Sequence, residues 1–182
     1  MQTGVKHRYR APDLAAFPAD GRRYEIIEGA LEVAPSPRTI HQLVSVRLVA
    51  ALARFTAVAG GHVFHAPFDV HLAEDTVVQP DLLYLAPEHL DRIRDDGVHG
   101  PPDLVVEILS PTSRRWDLRE KRAAYARHGV RELWFIDPEA PSVEVLWNEG
   151  GRFSAAAYAA GEHARSAGAL DGFTIAVAPA AG

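Results

Sequence analysis

Three side chains stand out because their types do not suit their surroundings. Glu107 is the only charge in the run Leu104-Val105-Val106-Glu107-Ile108-Leu109. A nearly continuous apolar run of this kind reads as a strand buried on both faces. A carboxylate there is costly unless it is paired or holds a cation. Asp81 repeats the anomaly in Val77-Val78-Gln79-Pro80-Asp81-Leu82-Leu83-Tyr84-Leu85. Pro80 cannot donate to a ladder, so a bulge or edge is expected there, a device that re-aims side chains beside functional sites. Strand parity puts Gln79 and Asp81 on one face. Lys121 is one of two lysines, with Lys6, against 17 arginines. A lysine is a compact point charge that arginine does not replace in tight geometry. Leu118, Lys121, Tyr125 and His128 follow a three-four-three spacing, and Asp117, Lys121 and Tyr125 stack at four, so Lys121 belongs to a helix stripe facing a sheet. Each residue also has an ordinary explanation: a buried ion pair or strand exit for the acids, a snorkelling chain for the lysine.

Two carboxylates on neighbouring strands and an inward lysine are the parts needed for metal-assisted phosphodiester hydrolysis. Carboxylate oxygens suit Mg²⁺, which acidifies a water, while the lysine stabilises developing charge. Other residues offer alternatives. His65, Asp69 and His71 would share a face of one strand over 62–72, a donor set for a transition metal as in cupin barrels, or three half-exposed positions. His41 and Gln42 open a long helix, where they could orient a carboxylate, contact phosphate or cap the helix. Asp103 belongs at a strand mouth, and Ser110 and Thr112 at the turn into a helix; each could instead touch phosphate.

The elements that must hold these residues follow from periodicity. The chain of 182 residues is 47% hydrophobic and 24% charged with no cysteine, which suits one globular domain and excludes disulfide scaffolds, thiolate metal sites and cysteine nucleophiles. Residues 1–21 read as a leader with a short helical turn at Ala11-Pro12-Asp13. Two short strands meet at Gly29 within 24–33. A helix spans Thr39 to about Ala59 and stops at Gly60-Gly61. A hairpin follows, with strands over 62–72 and 77–85. A short helix at 88–94 precedes the strand containing Glu107. Asp117-Leu118-Arg119-Glu120 is a capping-box-like start to a helix ending at Gly129. Strands over 133–136, 142–147, 153–158 and 173–177 complete a mixed sheet with helices packed on it, and a tail at 178–182 frays. No uninterrupted apolar run reaches the roughly 18 residues of a membrane span, so no membrane partner is expected, and a cytoplasmic location is.

Net charge is −5, yet the segment from Pro111 to Arg131 carries seven cations against two anions. Arg114, Arg115 and Arg119 are its candidates for contacting a polyanion; a solvated helix face is the plainer reading.

In order along the chain, Tyr24-Glu25-Ile26-Ile27-Glu28-Gly29, His41-Gln42, Gln79-Pro80-Asp81-Leu82, Pro102-Asp103-Leu104-Val105-Val106-Glu107-Ile108-Leu109-Ser110-Pro111, Asp117…Lys121…Tyr125 and Glu132-Leu133-Trp134-Phe135-Ile136-Asp137-Pro138 resemble the Uma-two family, within the PD-(D/E)xK nuclease superfamily. The resemblance covers about 22–177. It implies an α/β (α+β) fold, a restriction-endonuclease-like mixed sheet flanked by helices. It also implies Asp81 and Glu107 as metal-binding acids, and Glu25 as a further ligand, with Glu28 close enough to compete for that role. The superfamily's usual lysine position, two residues after the second acid, is here Leu109; the resemblance implies a lysine moved to the next helix, matching Lys121. His41, Gln79, Asp117 and Tyr125 would support the site.

The function expected is a Mg²⁺- or Mn²⁺-dependent DNA endonuclease, with Asp81, Glu107 and Lys121 catalytic, working as a homodimer because a duplex has two strands. The alternative is a nucleic-acid-binding or regulatory module of the same fold without useful nuclease activity.

Overall fold

The computed structural model describes residues 7–34 and 36–178. The expected fraying at 179–182 therefore lies outside the described residues, as does Pro35. The hairpin that opens the domain, β1 (Arg23–Ile27) and β2 (Ala30–Ala34), turns through Glu28 and Gly29, at φ of 50° and 79°. Two consecutive positive φ angles are what a two-residue hairpin turn requires, and Gly29 meets that without steric cost. Helix α1 (Thr39–Ala59) ends at Gly60 as expected.

The next hairpin differs from its expected form. Each of its long strands is divided: β3 (His62–His65) and β4 (Val70–Ala73) on the outward side, β5 (Thr76–Val78) and β6 (Leu82–Leu85) on the return. The breaks fall at Pro67 and Pro80, which cannot donate to a ladder. β3 and β6 pair in one sheet, β4 and β5 in another. Asp81 thus stands at a corner between two sheets. Parity with Gln79 ends at Pro80: the Gln79 amide donates to Asp69 Oδ1, away from Asp81.

The segment expected to hold a helix at 88–94 and a turn is a 3₁₀ turn (Pro87–Arg92) and a tight ribbon, β7 (Ile93–Arg94) and β8 (Gly97–His99). β8 runs parallel to β4, completing a sheet of order β2-β1-β5-β4-β8-β7. β9 (Leu104–Ile108), β10 (Glu132–Asp137), β11 (Ser142–Asn148) and β12 (Phe153–Ala159) extend the other, in the order β12-β11-β10-β9-β6-β3. Only β9 and β10 are parallel there, so the chain must cross over between them, which it does through a helix. A last pair, β13 (His163–Arg165) and β14 (Thr174–Ala176), packs beside it.

The crossover helix begins earlier than its sequence suggests. Ser110 accepts the Ser113 N–H, and α2 (Arg114–Trp116) passes through a π-helical turn (Asp117–Lys121) into α3 (Arg122–Arg127). Asp117 is therefore not a capping residue; it is buried one turn inside the helix.

Parity along β9 decides what each face meets. Leu104, Val106 and Ile108 pack with Leu48 and Leu52 of α1. Val105 and Leu109, on the opposite face with Glu107, pack with Tyr125, Leu133 and Phe135. Glu107 is thereby aimed at the crossover helix. α1 is the one helix among the described residues long and apolar enough to cross a membrane, but Arg47 and Arg54 interrupt its apolar run, and here it lies along the sheet. At the N-terminal end, Tyr9 N–H donates to Gly29 O and Ala11 N–H to Glu74 O, ahead of a 3₁₀ turn, Ala11–Ala16.

Candidate active site

Four carboxylates and a lysine, none more than 4% exposed, converge where the two sheets meet the crossover helix: Glu25 from β1, Asp81 from the corner, Glu107 from β9, and Asp117 and Lys121 from the π-helical turn. Lys121 Nζ lies 2.8 Å from Glu25 Oε1, 3.0 Å from Glu107 Oε1 and 3.8 Å from Asp117 Oδ1. Tyr125, one turn on, donates its hydroxyl to Glu107 Oε1 at 2.6 Å. Gln79 donates its backbone N–H to Glu25 Oε1 at 2.7 Å. The described hydrogen bonds of Glu25 and Glu107 all fall on Oε1.

Asp81 is held from three sides. Arg23 donates to Oδ1 at 2.7 Å; His41, in the first turn of α1, meets Oδ2 at 3.0 Å; the Ile108 N–H donates to Oδ2 at 2.8 Å. The last bond ties the corner to the end of β9, fixing Asp81 beside Glu107.

The electrostatics follow from a count. Four buried carboxylates face two permanent cations, Lys121 and Arg23, with the His41 imidazole against Asp81, so acids outnumber cations and crowd one another. Burial penalises ionisation of Glu107, and with the Asp117, Asp81 and Glu25 charges it outweighs Lys121, pushing the carboxyl up to about 8. Burial also raises Asp117. Asp81 goes the other way: burial opposes its charge, but the His41 hydrogen bond and the Arg23 guanidinium prevail and hold it down at about 2. Lys121 is costly to bury as a cation, yet the three carboxylates around it keep it firmly protonated.

The cluster encloses a narrow cavity of about 20 Å³, also lined by Arg23, Glu32, Ser113 and Trp116. That is the size of one water or one small cation. On the far side of Asp81 lies an open cleft of about 280 Å³, lined among others by Arg22, His41, Gln42, Ser45 and His65. The donor set is all oxygen, confined and short of positive charge, so it suits a hard divalent cation.

Of the residues singled out from sequence, Asp81, Glu107, Lys121, Glu25, His41, Asp117 and Tyr125 are brought together, with Gln79 reaching Glu25 through its backbone. Glu28 is not: it forms the exposed turn beyond Ile27 and pairs with Arg127. Arg114, Arg115 and Arg119 are exposed on the outer side of the crossover helix, Arg114 pairing with Asp137. Asp103 accepts from Ala86 N–H and contacts His89, a structural tie. His65, Asp69 and His71 do not share a face. His65 belongs to the β3 sheet, Asp69 binds Gln79, and His71 belongs to the second sheet. Sequence reasoning missed Arg23 and Glu32. Both were readable from the hairpin: Arg23 shares parity with Glu25, and the Glu28-Gly29 turn sets Glu32 directly opposite Glu25.

This is the architecture of a restriction-endonuclease-like domain, with its acids at the junction of a mixed sheet and a crossover helix. The crystal structure of a "putative nuclease belonging to DUF820" from Anabaena variabilis ATCC 29413 shares the fold. Its TM-score is 0.77 at 16% identity, covering 93% of this chain and 95% of that one. The Uma2 family model, described as "Putative restriction endonuclease", matches residues 11–178. The chain belongs to the Uma2 family. No curated protein matches it.

Proposed function

We propose that the protein is a metal-dependent endonuclease that hydrolyses phosphodiester bonds in DNA. The observation that carries this reading is the convergence of four buried carboxylates on a cavity of cation size. Asp81 and Glu107, with Glu25 as a third donor, would hold Mg²⁺ or Mn²⁺. Such an ion, when bound, polarises a scissile phosphate and acidifies a water.

The chain's own residues divide the remaining work. Lys121 places a permanent cation between Glu25 and Glu107, where it neutralises charge that develops on a phosphate oxygen. Tyr125 fixes the orientation of the Glu107 carboxylate through its hydroxyl. His41 and Arg23 keep Asp81 ionised and aimed. Arg114, Arg115 and Arg119 lie on the exposed side of the same helix and would meet the DNA backbone. A homodimer would set one site against each strand of a duplex, with the cytoplasm as its place of action.

A second reading has its own observation. Both Asp81 oxygens are engaged by Arg23, His41 and Ile108 N–H, and Lys121 already bridges two acids. A site closed in this way fits a nucleic-acid-binding module without cleavage. Nicking of supercoiled plasmid in Mg²⁺, Mn²⁺ or EDTA, by wild type beside Glu107→Gln, separates the two. Metal-dependent nicking lost in the variant is expected; DNA binding with equal background nicking in both proteins would favour the module.

A further inference from the structure

The second sheet carries a different set of ligands that the nuclease reading does not use. β4 and β8 run parallel with His71 and His99 in direct register. Neighbours in register on adjacent strands share a face, and here the two imidazoles stack, centroids 4.4 Å apart and planes 12° from parallel. The two-residue turn between β7 and β8, Asp95-Asp96, returns the Asp96 carboxylate over the same spot, with Oδ1 2.9 Å from His99 Nε2. One donor atom from each of His71, Asp96 and His99 lies within 4.8 Å of the other two.

Two features separate this trio from a chance grouping. His71 Nε2 is shielded from solvent and meets no hydrogen-bond partner among the described residues. A buried polar atom left so is costly, and a bound ion would remove the cost. The ribbon bearing the other two ligands is also docked closely onto β4. Val98 N–H donates to Asp69 O at 2.9 Å and Gly100 N–H to His71 O at 3.0 Å. At Gly97 a Cβ would sit 2.4 Å from Asp69 O. That close approach holds His99 beside His71.

We infer that His71, Asp96 and His99 form a site for a borderline-soft divalent transition ion of the Zn²⁺ type, distinct from the carboxylate cavity. Two imidazole nitrogens and one carboxylate oxygen select Zn²⁺ and its neighbours over Mg²⁺, which prefers oxygen alone. In a tetrahedral site with bonds of about 2.1 Å the donors lie about 3.4 Å apart, so small rotations of the rings and of Asp96 close the set. Asp96 and His99 are largely exposed, leaving the remaining positions to water. The ion would fasten the β7–β8 ribbon to β4.

Calorimetric titration of the whole protein with Zn²⁺ in excess Mg²⁺, and the visible spectrum of its Co²⁺ form, test the assignment. Excess Mg²⁺ competes for all-oxygen sites, so the Zn²⁺ isotherm reports chiefly nitrogen-containing ones. The expected result is one Zn²⁺ per chain in wild type, with affinity at least tenfold weaker in the double variant His71→Ala/His99→Ala and Co²⁺ bands lost. Asp96→Asn, in an exposed turn, should weaken Zn²⁺ binding while the fold is kept, so the test stands even if the double variant misfolds. Zn²⁺ binding unchanged in these variants, absent from wild type, or abolished by Glu107→Gln would overturn the site.

Discussion

Replacing Lys121 with methionine keeps the reach of the side chain and removes its charge. The lysine is buried and compensates Glu25 and Glu107 at 2.8 and 3.0 Å. Removing one partner of a buried pair costs roughly 3–5 kcal/mol. Two carboxylates lose their partner here, which places Lys121→Met toward the upper part of that range, about 4–5 kcal/mol. For a domain of this size that lowers Tm by roughly 8–20 °C. The loss also depends on pH. Glu107, already pushed up to about 8, takes a proton still more readily without the lysine, so the variant suffers less at about pH 6 than at about pH 8. Glu107→Gln provides the contrast: it replaces a carboxyl that is already partly protonated at about pH 8 with a neutral group of the same shape, and its cost there should stay under about 1 kcal/mol. Urea and thermal unfolding of both variants at the two pH values supply the measurement. A Lys121→Met loss below about 1 kcal/mol, or a Glu107→Gln loss exceeding it, would refute the role of Lys121 as the cation that compensates this crowd of buried acids.

Other outcomes follow from the same geometry. Native Glu107 holds its proton up to about 8 while the unfolded chain releases it near 4.5. Its stabilising contribution is therefore complete below about pH 4.5 and lost as pH rises through about 8, so Mg²⁺ should raise Tm more at high pH than at low, as differential scanning calorimetry would show. Arg115→Ala/Arg119→Ala should weaken DNA binding and reduce the salt-dependence slope by about 2 with Tm unchanged, measured by fluorescence anisotropy across a salt series. Gly97→Ala, at φ 138° and facing Asp69 O, should cost on the order of 2–3 kcal/mol in urea unfolding, since both backbone conformation and space are against a Cβ.

Much of this site could be read from residue types. Glu107 and Asp81 are visible because a charge in an apolar strand demands a reason, and Lys121 because its helical phase points inward. The long helix and the β9-helix-β10 unit follow from hydrophobic periodicity. The corner between the sheets did not emerge, because the alternation over 62–72 and 77–85 continues through Pro67 and Pro80 as though each strand were whole. The wrong parity for Gln79 and the false grouping of His65 with His71 share that origin. The helix start at Asp117 misled because a capping box is a local pattern, whereas burial of Asp117 is decided by Lys121 and the sheet opposite. His99 and Asp96 went unnoticed in a polar stretch whose strands are only two and three residues long, too short for periodicity to register.

The most direct test of the account is the rate of supercoiled-plasmid nicking as a function of Mg²⁺ concentration, for wild type and Asp81→Asn at matched DNA occupancy. The account predicts a saturable Mg²⁺ dependence in wild type and no metal-dependent rate in the variant. Nicking that ignores Mg²⁺, or an Asp81→Asn rate equal to wild type, would contradict it.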